Sequence, residues 1–96
     1  VKHLVKAIAV ALLPLLPLAC AVAPVQEMSD ARQALDAARE LGAEEVAGAE
    51  YNEARSLLES AERALQRGRY RSARELALSA KASATAARLK AHDRLP

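Results

Sequence analysis

The sequence predicts an all-α fold: a small three-helix domain that contains an antiparallel helical hairpin and is preceded by a cleavable signal peptide. Three observations predict it. Tyr51, Ala54, Leu58, Ala61 and Leu65 follow one another at gaps of three and four, and Tyr70, Ala73, Ala77, Ala80, Ala84, Ala87 and Ala91 do the same; this spacing keeps one face of a helix of about 3.6 residues per turn apolar. Between the two series stands Gln66-Arg67-Gly68-Arg69, with a glycine where a helix end needs left-handed backbone. Ahead of them the chain has a short basic start and the apolar run Ala7 to Leu18, interrupted by Pro14 and Pro17. That run is too short and too broken to cross a bilayer core that needs about 20 residues.

Taken in order, residues 1–19 are predicted to be the signal peptide, 20–26 a modified cysteine and tether, and 27–96 the helical domain, with helices at about 27–41, 49–67 and 70–92. Cys20 is the single cysteine, so it forms no internal disulfide, and it stands where an exported protein is cleaved. The stretch Leu16-Pro17-Leu18-Ala19-Cys20 resembles the lipobox of bacterial lipoproteins, in which the cysteine thiol receives a diacylglyceryl group and becomes the acylated N-terminus. Ala19 fits that pattern, whereas Pro17 occupies its leucine position; ordinary cleavage after Ala21 is the rival reading. The tether up to Gln26 contains Pro24 and spans at most some 20 Å at about 3.3 Å per residue, which keeps the domain close to a membrane. In the first helix Met28, Ala31, Leu35 and Ala38 step by three and four, with Ser29 and Asp30 as expected caps and Gly42 as its stop. The segment from Ala43 to Gly48, with two adjacent glutamates and a second glycine, reads as a connecting turn.

Composition limits what such a domain can do. The chain has 96 residues, no Trp, no Phe and two Tyr, and its apolar content is largely alanine, which buries little area at about 25 cal/mol per Å². The core is therefore thin, and an anchor, a partner or self-association is expected to support it. Charge is divided along the chain: from Glu27 to Glu62 acids dominate over Arg32, Arg39 and Arg55, while from Arg63 to Arg94 only Glu75 and Asp93 oppose the bases. Complementary surfaces on antiparallel helices account for this division.

With the leader, cysteine and helices placed, the chain resembles the alanine-rich helical envelope lipoproteins of the family catalogued as domain of unknown function four-three-nine-eight. The likeness rests on Ala31, Ala34 and Ala38, on Leu41-Gly42-Ala43, on Tyr51-x-x-Ala54 and Leu58-x-x-Ala61, and on Gly68-x-Tyr70-x-x-Ala73. It implies a Gram-negative cell-envelope protein with no assigned activity. Ala21 after the cysteine, where retained inner-membrane lipoproteins carry Asp, implies the outer membrane with the domain facing the periplasm. Gly68-x-Tyr70-x-x-Ala73-x-x-x-Ala77-x-x-Ala80 is also similar to the turn of one tetratricopeptide hairpin, although no second copy recurs at a period of about 34 residues.

No catalytic constellation is visible: His3 lies in the leader, His92 near a chain end, and no nucleophile elbow, phosphate loop or cluster of metal ligands is present. The expectation is a non-enzyme without cofactor or metal. Two binding readings follow. Leu78, Ala82, Thr85 and Leu89 lie nearly opposite the alanine face of the last helix and form a candidate face for the first helix, an envelope protein partner or a second copy. Arg67, Arg69, Arg71 and Arg74 crowd the hairpin turn and form a candidate anion site, for lipopolysaccharide or peptidoglycan and not for nucleic acid, since interleaved aromatics are missing and the chain is exported. Membrane attachment through a lipid on Cys20 completes the expected partners.

Overall fold

The computed structural model describes residues 22–95. They form four helices, α1 (Val25–Glu40), α2 (Ala43–Val46), α3 (Gly48–Gln66) and α4 (Tyr70–His92). The three long helices pack side by side. Ion pairs fix their directions: Glu27 meets Arg74 and Asp30 meets Lys81, so α1 and α4 run parallel, while Arg32 to Glu62 and Glu50 to Lys90 set α3 antiparallel to both. The segment 1–19 expected to be a signal peptide, and Cys20, lie outside the described residues.

Helix α1 begins at Val25, two residues ahead of the expected start, because Pro24 accepts its first bond: the Met28 amide donates to the Pro24 carbonyl at 3.0 Å. Proline has no N–H to leave unsatisfied at a helix start, which suits it to this place. Ser29 and Asp30 therefore do not cap. They sit one turn inside α1, where Ser29 Oγ accepts from Gln33 and Asp30 Oδ1 accepts from Gln26. The segment expected to be a plain turn contains α2, a single helical turn that begins after Gly42 at φ 76°. Two buried alanines, Ala43 and Ala47, hold that turn against Tyr51, Ala38, Ala87 and Ala91, so packing outweighs the weak local propensity.

The core has two clusters. Met28, Ala31, Leu58, Ala61, Ala77 and Ala80 fill the end near the hairpin turn, and Ala38, Ala43, Ala47, Tyr51, Ala87 and Ala91 fill the other. Every residue of the predicted alanine series on α4, from Ala73 to Ala91, is buried. Both α1 and α3 lie against that one face, because methyl-sized side chains leave room for two neighbouring helices to approach closely.

Gly68 ends α3 at φ 73° as its spacing predicted. The Arg69 amide donates to the Ala64 carbonyl at 2.9 Å and the Gly68 amide to the Leu65 carbonyl at 3.0 Å, the paired bonds of a Schellman cap. A Cβ on Gly68 would meet no atom within 4 Å, and the same holds for Gly48, which lies in α3 without positive φ. The two positions separate backbone cost from packing. Gly68→Ala should destabilise by about 1 kcal/mol or more, whereas Gly48→Ala should stabilise by about 0.5–1 kcal/mol. Urea unfolding followed by circular dichroism checks both, and equal effects would remove the left-handed cap from the explanation.

Candidate functional site

The sequence-predicted face of α4 stays largely open. Leu78 is 51% exposed and Leu89 54%, Ala82 is exposed, and Thr85 is half-buried. Helix α1 does not cover the leucines, since it shares the alanine face with α3. The four residues nevertheless have different surroundings. Thr85 lines a shallow groove between α1 and α4 with Asp30, Gln33, Ala37, Lys81 and Arg88. Leu89 borders a hollow of about 230 Å³ formed with Leu41, Arg88 and His92.

Leu41, Arg88 and His92 were missed in the sequence. Leu41 belongs to the end of α1, and its neighbourhood with Leu89 depends on the parallel docking of two helices nearly fifty residues apart, for which the local pattern carries no signal.

The four arginines of the hairpin turn divide into two groups. Arg67 and Arg69 line a groove of about 270 Å³ with Ser60, Arg63, Ala64, Ser72 and Leu76, and Arg71 is exposed beside it. Arg63 donates to Ser60 Oγ at 3.0 Å. Among the described residues Arg67, Arg69 and Arg71 have no carboxylate partner. Arg74 departs from the predicted cluster: its Nε donates to Glu27 Oε2 and its Nη2 to the Val22 carbonyl, each at 3.3 Å. It ties the start of the described chain to α4, so the candidate anion set narrows to Arg67, Arg69 and Arg71.

At the opposite end Lys90 Nζ donates to Glu50 Oε1 at 3.2 Å, while Glu50 Oε2 is shut off from solvent without a hydrogen-bond partner. Hydrogen bonding from its own backbone amide, and then from Lys90, holds the Glu50 carboxyl below its ordinary 4.5. The other inter-helix ion pairs are exposed and weak in solvent. No helix among the described residues is long and apolar enough to cross a membrane.

These features define a class: an up-down-up helical bundle held by alanine faces, with one open apolar face and a basic tip. Its residues 26–95 match the family model described as Domain of unknown function (DUF4398), and the chain belongs to that family. No curated protein matches it, and no solved structure does.

The Glu50 contact sets an acid limb of stability. Its folded carboxyl releases the proton at lower pH than the unfolded one, so the unfolded chain binds more protons in between. The contribution is complete above the unfolded value of 4.5 and is lost as pH falls through the lower folded value. Glu50→Gln should make stability less steep in that window. Urea midpoints measured through the acid range check this, and an unchanged slope would detach Glu50 from the acid limb.

Proposed function

We propose that this chain is a cell-envelope lipoprotein, anchored through a lipid on Cys20 in the outer membrane and facing the periplasm, whose helical domain is a non-catalytic interaction module. The observation that carries the module reading is the open face of α4, where two leucines are about half exposed eleven residues apart. Eleven residues are close to three turns, so both side chains project on one side about 16 Å apart.

The occupant of that face is a second copy of the chain. Glu75, Leu78 and Ala82 are followed along the same face by Thr85, Leu89 and His92. An antiparallel two-fold arrangement centred between Ser83 and Ala84 sets each Leu78 against the other copy's Leu89, Ala82 against Thr85, and Glu75 against His92. The small central pair lets the helices approach, the leucines flank it, and acid meets base outside them. A two-fold interface requires a patch to be complementary to itself, and this pattern meets that requirement. The hollow beside Leu89 would receive the incoming Leu78. One helix pair buries less than the roughly 1,600 Å² of a standard interface, so association is weak in solution. The alternative reading, binding of an envelope polyanion such as lipopolysaccharide or peptidoglycan, is favoured by Arg67, Arg69 and Arg71, which have no carboxylate partner among the described residues.

Two experiments test the proposal. Leu78→Glu with Leu89→Glu should retain helical circular dichroism and its melting point but abolish concentration-dependent sedimentation; loss of helicity would return the leucines to the core, and a wild-type chain that stays monomeric at every concentration would end the self-docking reading. Cys20→Ser should remove acyl mass from the N-terminal peptide and release the protein from the membrane fraction after processing, or leave it unprocessed. A wild-type peptide without acyl mass, cleaved after Ala21, would replace the lipoprotein by an ordinary exported protein.

A further inference from the structure

The start of α1, the end of α3 and the start of α4 share one tip of the bundle. Arg74 donates both to Glu27 of α1 and to the Val22 carbonyl, and Arg32 of α1 meets Glu62 near the end of α3. The tip therefore gathers the point where the chain enters the domain and the turn that carries Arg67, Arg69 and Arg71. Cys20 precedes Val22 by two residues, a covalent reach of about 7 Å. The same tip exposes Val22 at 58% and Val25 at 70%. The acids nearest in the chain are partly engaged: Glu27 with Arg74 and Glu62 with Arg32, leaving Glu59 and Glu75 exposed. The acidic Glu44 and Glu45 of α2 belong to the far end.

From this arrangement we infer that the basic tip is a docking surface for anionic lipid headgroups. Arg67, Arg69 and Arg71 bind headgroup phosphates while Val22 and Val25 enter the interfacial layer beside the anchor. The inference rests on the membrane-anchored reading of the chain and chooses among its polyanions: a tip placed within a few residues of the anchor meets lipid phosphate before it meets any polymer farther out. Guanidinium groups pair with phosphate oxygens two at a time, and apolar side chains beside basic ones are the combination that lies in a headgroup layer. The bundle then stands with α2 and the end of α4 directed away from the lipid. The antiparallel pairing proposed for α4 would place two such tips at opposite ends, so lipid docking and self-docking compete for one molecule.

The test uses the full chain with its lipid on Cys20 retained: that sulfur is then a thioether, so one introduced thiol is the single site that takes a fluorophore. Labels go at Ser72→Cys on the tip and Asp93→Cys at the far end. In vesicles of equal parts phosphatidylglycerol and phosphatidylcholine, a headgroup quencher should quench the Ser72 label several-fold more than the Asp93 label. Arg67→Gln, Arg69→Gln and Arg71→Gln together should erase that difference, and vesicles of phosphatidylcholine alone should show little of it. Each arginine near an anionic surface contributes about fivefold to the preference, or roughly a hundredfold for the three, before salt screening. Equal quenching of both labels on anionic vesicles, or a Ser72 preference that survives the triple change, overturns the headgroup site while leaving anchoring intact. Quenching of neither label means that the chain is not held at the membrane, and the anchored reading falls with the inference.

Discussion

Close approach of helices across alanine is the constraint on which this structure depends. Helix α4 presents Ala73, Ala77, Ala80, Ala84, Ala87 and Ala91 on one face, all buried, and two helices use that face together. Each methyl group removes little area from water, so the gain comes from many backbone-close contacts at little cost in side-chain entropy. The larger buried residues are few: Met28 and Leu58 in the cluster near the hairpin turn, Tyr51 in the one near α2. A domain built this way has no spare apolar volume, which is why leucines left outside its core carry meaning.

How much was legible in the sequence follows from whether the signal was local. The three long helices, the left-handed Gly68 and the buried alanine series were legible because spacing by three and four fixes a face and a glycine between two such series fixes a break. The one-turn helix α2 was not, since four residues with poor propensity form a helix only because Ala43 and Ala47 are packed under Tyr51. The cap of α1 was misplaced for a related reason: Ser29 and Asp30 have the right chemistry for a cap, but Pro24 already supplies the first carbonyl. For the candidate sites, Leu78 and Leu89 were legible as a second stripe on the last helix, whose cover (the first helix, a partner or a second copy) the spacing left open, and the basic turn was legible as a charge run. What neither pattern could show is docking direction. Arg74 belongs to Glu27 across 47 positions of chain, and Leu41 joins Leu89 only because α1 runs parallel to α4.

Direction itself needs an explanation, because repeating alanine surfaces are nearly indifferent to a slip of three or four residues. A slip of one helix by a turn exchanges one alanine contact for another at almost no change in buried area, so small side chains bring the helices together without choosing a register. Two kinds of group make the choice. Met28, Leu58 and Tyr51 are too large to occupy an alanine site without strain, and they act as pegs. The inter-helix ion pairs Glu27 to Arg74, Asp30 to Lys81, Arg32 to Glu62 and Glu50 to Lys90 are worth little as stabilisation because most of them stay in solvent. Their value lies in what a shifted register would bring together: the division of charge along the chain places acids of α1 beside bases of α4, and a reversed α1 would oppose Arg39 to Arg74 and leave Glu27 near α2, whose Glu44 and Glu45 repel it. The charge polarity that looked in the sequence like complementarity between two helices thus specifies the orientation of three.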